Sequence, residues 1–206
     1  MFIVYLIINK FKLTQIFVTI VILFSLNASK AEEVYFGIDY LNNEIDSGVT
    51  NISSTLDEED SGYSLYGGIP LNENLSIEIS YQDFGEASLS GNSGNQFKVG
   101  TTTYEFTTTA TLSVSAESIG YALVPKMPIS DNISLYGKLG FHYWDSTFSV
   151  TSTNTTASLD DDGNDVFYGF GAEMNFGNLK GRIGYSLFDL DGDDIDSTNI
   201  GISFGY

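Results

Sequence analysis

The sequence predicts an all-β protein: an eight-stranded, antiparallel, up-and-down transmembrane β-barrel. Three observations predict it. Apolar and polar residues alternate in segments of about ten residues, the period of a strand with one apolar face. Short and long connections alternate strictly between these segments. The polar faces of the strands carry few charges, whereas the exterior of a soluble barrel would carry many.

The strands follow from the alternation. In residues 75–82 every odd position is apolar and every even position is polar. The segments 133–143 and 179–187 also have their mainly apolar set on odd positions, and 166–176 has it on even positions. Strands bend and pair over such lengths in membrane barrels. The predicted strands are 34–42, 61–70, 75–85, 113–125, 132–144, 165–176, 179–189 and 197–206.

The connections predict the topology. Up-and-down membrane barrels have short turns on the periplasmic side and longer loops outside. An even number of strands brings both ends of the barrel to the side of the short turns. The predicted short connections are 71–74, 126–131 and 177–178, and the predicted long or acidic loops are 43–60, 86–112, 145–164 and 190–196.

In two of the predicted strands the alternation of apolar and polar residues changes phase near the long loops. In the fourth strand the apolar positions are even up to Ala116 and odd from Ile119, and in the fifth they change after Tyr143. We interpret both changes as bulges, or as hairpin extensions beyond the lipid where the alternation is no longer enforced.

A soluble sandwich or lipocalin-like barrel also alternates, with the apolar face turned inward. Aromatic rings near strand ends favour the membrane barrel, because such rings form girdles at the two interfaces. The predicted girdle residues are Tyr40, Tyr81, Tyr121, Tyr143, Trp144, Phe176 and Tyr206.

Residues 1–31 have the pattern of a signal peptide. Lys10 and Lys12 precede the apolar stretch 13–26, and Ser29 and Ala31 supply small residues at positions −3 and −1 of a cleavage site. We predict cleavage after Ala31, which leaves 32–206 as the barrel domain. The alternative is an anchor helix, but the apolar stretch is shorter than the roughly 20 residues that a spanning helix needs.

The charge excludes some partners. Residues 1–31 hold three of the eight basic residues and none of the 27 acidic ones, so the mature chain carries a net charge of −22. Such a chain is not expected to bind nucleic acid, whose partners neutralise phosphates with Lys and Arg. The absence of cysteine is compatible with export through an oxidising periplasm.

Charged residues on the polar faces predict an ion-pair network inside the barrel, because buried charges need partners. The candidates are Glu78, Lys138, Glu173 and Arg182. The alternative is a gated pore in which these pairs exchange partners. Since side chains fill the lumen of an eight-stranded barrel, a general diffusion porin is not expected.

Two acidic segments, 160–165 and 189–196, place aspartates around a glycine, as some calcium loops do. Neither matches the twelve-residue EF-hand loop. We therefore favour solvated loops and predict no cofactor. The weak metal candidates are Asp189, Asp191, Asp193, Asp194 and Asp196.

His142 is the only histidine. A catalytic histidine needs an oriented partner and a nucleophile, and no motif brings either to it. We predict no catalytic residue and no enzyme. An enzyme that modifies lipids of the outer leaflet is the least favoured alternative.

The C-terminal stretch 199–206 has a polar residue, a glycine, an apolar residue and a final aromatic residue at fixed spacing: Asn199, Gly201, Phe204 and Tyr206. It resembles the assembly signal of outer-membrane barrels, and the stretches 62–68 and 134–140 resemble strands of the OmpA-like transmembrane domain. The resemblance implies the bacterial outer membrane, recognition by the barrel assembly machinery, and contact with outer-membrane lipids and lipopolysaccharide.

The function expected from these observations is structural. We expect a monomeric barrel, without the periplasmic domain of full-length OmpA-type proteins, that supports membrane integrity or surface contact through its acidic loops. The alternative is a small gated channel or a transporter of small or hydrophobic solutes.

Overall fold

The strands close into a single barrel. The computed structural model describes residues 34–153 and 155–205. The barrel strands are β1 (Tyr35–Ile45), β4 (Glu59–Asn72), β5 (Leu75–Gly91), β8 (Ala110–Pro128), β9 (Ile133–Ser152), β10 (Thr155–Phe176), β11 (Leu179–Leu190) and β12 (Asp193–Gly205). Four short strands lie in the connections: β2 (Val49–Asn51), β3 (Thr55–Asp57), β6 (Gln96–Val99) and β7 (Thr102–Glu105).

Each barrel strand pairs antiparallel with the next along the chain, and β1 pairs with β12 from Tyr35↔Gly205 to Ile45↔Ile195. This confirms the eight-stranded up-and-down barrel. Strand β3 adds to the edge of β5, while β2, β6 and β7 form a separate small sheet. No described part of the chain forms a helix long and apolar enough to cross a membrane.

The barrel has two different ends. The connections β4–β5, β8–β9 and β10–β11 are tight and lie beside both barrel termini, at what we call the short-turn end. The opposite, long-hairpin end carries the longer connections and the tall β9–β10 hairpin, which is paired up to Ser152↔Thr155. The predicted alternation of short and long connections is thus only partly correct: β1–β4 and β5–β8 have long connections, whereas β9 and β10, and likewise β11 and β12, are separated by two residues. Most of the predicted loop 190–196 belongs to β11 and β12.

The apolar residues of the barrel wall point outward. On β1, Ile38 and Tyr40 are exposed whereas Asp39 is buried, and the same inversion holds for Ile77 beside Glu78. Lipid is the medium in which an exposed apolar band of this kind is stable. The soluble alternative, with its apolar faces inward, is wrong for this band. Its largest exposed members include Leu139, Phe141, Phe170, Phe176, Ile183, Ile200, Ile202 and Phe204.

Strand β8 shows why its apolar positions change from even to odd numbers along the sequence. It pairs with β9 in one register from Ala110↔Ser152 to Leu123↔Leu139, so its even positions face the interior throughout. Toward the short-turn end the outward residues are apolar, as at Tyr121 and Leu123. Toward the long-hairpin end the inward residues are apolar, as at Val114 and Ala116. The apolar side thus moves from the outer to the inner face where the barrel leaves the lipid and enters water.

Several predicted loops are strands. Most of 145–164 belongs to the β9–β10 hairpin, and β5 and β8 extend into the predicted loop 86–112. Hairpin extensions are thus the correct interpretation of the phase changes, and a bulge in the fourth strand is wrong. The shift lies on β5 instead, between Asp83 and Glu86. Because water surrounds these extensions, Ser and Thr are common in them, and the sequence there lacks the alternation of apolar and polar residues that indicates a strand.

The predicted girdle is partly correct. Tyr40, Tyr121 and Tyr143 are exposed near the ends of the apolar band. Trp144 instead faces the interior, where its Nε1 donates a hydrogen bond to Asp165 Oδ2 at 2.8 Å. Tyr81 is buried, and its hydroxyl donates to Glu117 Oε2 at 2.6 Å. The predicted signal peptide, the cleavage after Ala31 and the terminal Tyr206 lie outside the described residues.

The β5 bulge gives a testable prediction. Gly85 has φ +81°, and a Cβ there would lie 2.5 Å from Asp60 Oδ2, which already accepts a hydrogen bond from the Glu86 amide. Gly85→Ala is expected to lower the free energy of unfolding by about 2–4 kcal/mol, from backbone strain and the steric conflict together. Urea unfolding in lipid vesicles, followed by the fluorescence of Trp144, measures it.

The matched control is Gly94→Ala. Gly94 has φ +89°, but nothing lies within 4 Å of the added Cβ. This variant retains only the backbone strain, about 1–2 kcal/mol. Equal losses in the two variants would show that the Asp60 contact adds nothing.

Candidate functional site

The middle of the lumen holds a buried ion-pair network. Arg182 on β11 reaches across to Asp39 on β1, and its Nε donates to the Asp39 carboxylate oxygens at 2.9 and 3.0 Å. Arg182 Nη1 donates to Glu78 Oε1 at 3.3 Å. Lys138 on β9 completes the group, with its Nζ 3.1 Å from Glu78 Oε2. Two carboxylates therefore face two cations in the barrel interior.

Tyrosine rings fill the space around this network. The Arg182 guanidinium lies 3.3 Å from the centroid of the Tyr66 ring, and the Tyr35 hydroxyl donates to Glu78 Oε1 at 2.8 Å. Glycine gives these rings room: a Cβ at Gly171 would lie 2.5 Å from the hydroxyl of Tyr136. The rings and charges together occupy the cross-section of the barrel.

A second ion-pair group lies nearer the short-turn end. Glu173 on β10 accepts from Lys126 Nζ at 3.2 Å and lies 3.4 Å from Lys180 Nζ. Lys126 Nζ is also 4.9 Å from the centroid of the Tyr35 ring, which links the two groups. The lumen is thus lined by charged pairs at two successive levels.

The structure brings three of the four predicted lumen residues together: Glu78, Lys138 and Arg182. Glu173 faces the lumen but contacts different cations, Lys126 and Lys180. Sequence reasoning omitted Asp39, although it is the inward acid on the first strand. It also placed Lys126 in a turn, whereas β8 continues to Pro128.

Toward the long-hairpin end, four rings form an aromatic plug: Phe84, Phe167, Phe188 and His142. The Phe188 centroid is 4.8 Å from that of Phe84, 4.9 Å from Phe167 and 5.4 Å from His142. His142 is fully buried, and its Nε2 hydrogen-bonds the Asp189 carbonyl oxygen at 2.8 Å. His142 therefore packs within the interior, away from the lipid surface.

Beyond the aromatic plug the interior opens into a cavity of about 440 Å³, which we call the cup. Its floor includes Ile45, Ala116 and Ile195, which belong to the same buried cluster as the plug. Apolar side chains of β3, β5, β6, β8 and β9 line its wall. Its acidic members are Asp46, Asp161, Asp191, Asp193 and Asp194.

The candidate metal residues are divided among different roles. Asp191, Asp193 and Asp194 line the cup, Asp189 Oδ1 caps the β11–β12 turn by accepting from the Gly192 amide at 2.8 Å, and Asp196 contacts the Tyr185 hydroxyl. Among the described residues, no group of three or more His, Cys, Asp or Glu side chains is arranged to hold a metal ion. Burial, together with the neighbouring aspartates, raises the pKa of Asp193.

Residues of the C-terminal strand β12 pack in the lumen, in addition to closing the barrel by pairing with β1. Gly201 faces inward, and a Cβ there would overlap the Asp39 carboxylate that binds Arg182. Asn199 also faces the lumen, whereas Phe204 is exposed on the outer wall. Gly201 is thus needed for the interior packing, independently of any recognition of this strand during assembly.

Comparison with known proteins agrees with this architecture. Residues 16–206 match the family model described as "Outer membrane protein beta-barrel domain". Ail of Yersinia pestis, in complex with the heparin analogue sucrose octasulfate, is similar at 18% identity, over 85% of this chain and 99% of that one, with a TM-score of 0.54.

Two further solved structures have the same fold. OprG of Pseudomonas aeruginosa is 13% identical over 86% of this chain and 97% of its own, with a TM-score of 0.56. Neisserial surface protein A is 11% identical over 84% and 97% of the two chains, with a TM-score of 0.50. No curated protein matches the sequence significantly.

Proposed function

Because the chain belongs to the outer-membrane β-barrel family, we propose that it is a closed structural barrel of the bacterial outer membrane that displays an acidic surface. Its apolar band contacts the membrane lipids. By the usual orientation of such barrels, the short-turn end faces the periplasm and the long-hairpin end faces outside. Supporting the membrane and making surface contacts are the roles that this arrangement serves.

The filled lumen is the observation that carries the proposal. From the short-turn end inward, a solute meets the Glu173 group, then the Arg182 network, then the aromatic plug. Arg182, Glu78 and Phe188 are each at most 5% exposed. Breaking such buried pairs is costly, which favours a lumen that stays closed.

The acidic surface proposed for this chain is not expected to bind the kind of ligand found in the Ail complex. That protein was solved with a heparin analogue, a polysulfate. Of the basic residues that the structure describes here, Lys126, Lys138, Lys180 and Arg182 are paired inside the barrel. Lys98 alone remains outside, so the acidic long-hairpin end should repel polyanions rather than bind them.

Single-channel recording in planar bilayers tests the closed barrel. The wild-type protein, with insertion verified by the boiling-dependent shift of its gel band, is expected to show no stable conductance. A large general porin added to the same bilayer serves as the positive control. Stable, large conductance steps from the wild-type protein would overturn the proposal.

A gated channel is the second candidate. It is favoured by Glu78, whose carboxylate contacts both Arg182 and Lys138 and so has two alternative cation partners. Under this proposal Glu78→Gln would change the frequency of opening while Glu173→Gln, at the other level, would not. If neither variant nor the wild type opens, the channel is excluded.

Biogenesis is part of the proposal. We propose cleavage after Ala31, assembly of a monomer by the barrel assembly machinery, and contact with lipopolysaccharide. Cell fractionation, N-terminal sequencing of the outer-membrane band and light scattering test these points. We also propose that the protein is not an enzyme, and an altered lipid A mass profile in cells lacking it would contradict this.

A further inference from the structure

We propose that the cup binds small amphipathic organic cations, molecules with an apolar body and an ammonium head. This goes beyond the closed-barrel proposal, because it concerns the solvent side of the aromatic plug. Two independent features of the cup carry the inference: an apolar interior and an acidic set of side chains without basic counterparts.

The interior of the cup is suited to an apolar body. Its volume of about 440 Å³ is in the range of small-molecule sites, which are usually apolar clefts with a few polar groups. Leu89, Leu112 and Val114 turn their side chains into it, on strands whose outer faces carry Ser and Thr. Since the aromatic plug closes the floor, a ligand can enter from the long-hairpin end without passing through the barrel.

The charges of the cup select a cation. Five aspartates and no Lys or Arg are among its lining residues. Partial desolvation, followed by repulsion from Asp46, Asp191 and Asp194, raises the pKa of Asp193. A bound ammonium group would relieve the repulsion, whereas an anion would increase it. Lys98, the basic residue at this end, is exposed on β6 outside the cup lining.

The barrel strands around the cup extend to different heights, and this indicates where the two parts of the ligand lie. Residues 155–166 of β10 pair with β9, whereas pairing between β10 and β11 begins only at Phe167↔Phe188. The β11–β12 hairpin ends at Leu190↔Asp193, so the wall is low there. Asp191, Asp193 and Asp194 occupy this low side. The head group therefore lies at the low acidic wall, and the apolar body lies against the taller β5, β8 and β9 walls.

Three probes separate the two parts of the site. Octyltrimethylammonium carries both the apolar body and the cation, tetramethylammonium carries only the cation, and octyl sulfate carries the same body with an anion. They are titrated into the barrel held in phosphatidylcholine nanodiscs, with empty nanodiscs as the blank. Trp144, the only tryptophan, lines the cup and reports binding by its fluorescence.

Octyltrimethylammonium is expected to bind saturably and at least about ten-fold more tightly than either of the other probes, since each of these lacks one favourable part. Equal binding of octyltrimethylammonium and octyl sulfate would overturn the proposed cation selectivity. No saturable fluorescence change with octyltrimethylammonium would overturn the site.

A matched pair of double variants tests the position. Asp193→Asn with Asp194→Asn removes two charges from the cup and is expected to weaken octyltrimethylammonium binding on the order of five-fold. Asp160→Asn with Asp162→Asn removes two charges from the outer face of β10 and should change it by less than about two-fold, because solvent screens distant charges. Equal weakening in the two pairs would indicate diffuse surface attraction and would contradict a site.

Val114→Phe tests the cavity itself. The larger ring fills part of the cup and is expected to weaken octyltrimethylammonium binding about ten-fold or more, by excluding the apolar body. Retention of the boiling-dependent gel shift shows that this variant still folds. A folded Val114→Phe variant with unchanged binding would contradict the proposed site.

Discussion

Replacing Arg182 with methionine is expected to lower the free energy of unfolding by about 3–5 kcal/mol, since it leaves buried carboxylates without their main cation. Arg182 is the only residue that contacts both Asp39 and Glu78 in the described lumen. Lys138 forms an ion pair with Glu78 and acts on Asp39 only at longer range. Asp39 would therefore remain charged, buried and unpaired, or would have to take up a proton.

Urea unfolding in lipid vesicles, followed by Trp144 fluorescence, measures this loss. Adding Asp39→Asn to Arg182→Met removes the carboxylate that has lost its cation, while Glu78 keeps its ion pair with Lys138, and is expected to restore more than half of the lost stability. Lys98→Met, an exposed cation on β6, should change stability by less than about 0.5 kcal/mol. If this double variant were no more stable than Arg182→Met alone, packing by Arg182 rather than charge pairing would account for the loss.

Truncating Phe188 to alanine is expected to cost about 3–5 kcal/mol, because it removes the ring at the centre of the aromatic plug. Phe188 is 4% exposed and contacts three other rings. The remaining rings are anchored on different strands, β5, β9 and β10, so they cannot collapse fully into the space. The cost thus includes a cavity as well as the lost apolar burial.

The same unfolding experiment measures the effect of Phe188→Ala, and Phe188→Leu should recover part of the loss. Leu159→Ala is the control, since Leu159 is 69% exposed on the tall β10 extension. It should cost less than about 0.5 kcal/mol. A cost below 1 kcal/mol for Phe188→Ala would mean that the plug contributes little to stability.

The sequence predicted the eight barrel strands and their up-and-down order, and composition favoured apolar residues on the outer face, but the short strands β2, β3, β6 and β7 were not predicted. The barrel strands could be predicted for a physical reason: lipid on one face and a packed lumen on the other enforce a period of two, as in 75–82. Outside the lipid this constraint ends. Residues 155–165 form a regular strand, yet Thr, Ser and Asp dominate them, and their pairing is set by β9 rather than by their own pattern.

The lumen shows a second limit of sequence reasoning. Alternation indicates that a residue faces inward, but its height in the barrel depends on the stagger between strands. Asp39 and Arg182 are 143 positions apart, and their contact follows from the closure of β1 against β12. Glu173 likewise faces the lumen at a different level from Glu78 and contacts other cations. The cup could not be predicted, although the change of phase at Ala116 and the acidic segment 189–196 both belong to it, because much of its wall lies in segments predicted as loops.

Along β8 the apolar side chains change from the outer face to the inner face, and this change also sets how deeply the barrel lies in the membrane. Shifting the molecule outward would bring Tyr121 and Tyr143 out of the lipid and into water, and shifting it inward would press Ser113 and Ser115 into hydrocarbon. Both displacements cost free energy, so the sequence of the strands sets the position of the barrel along the membrane normal.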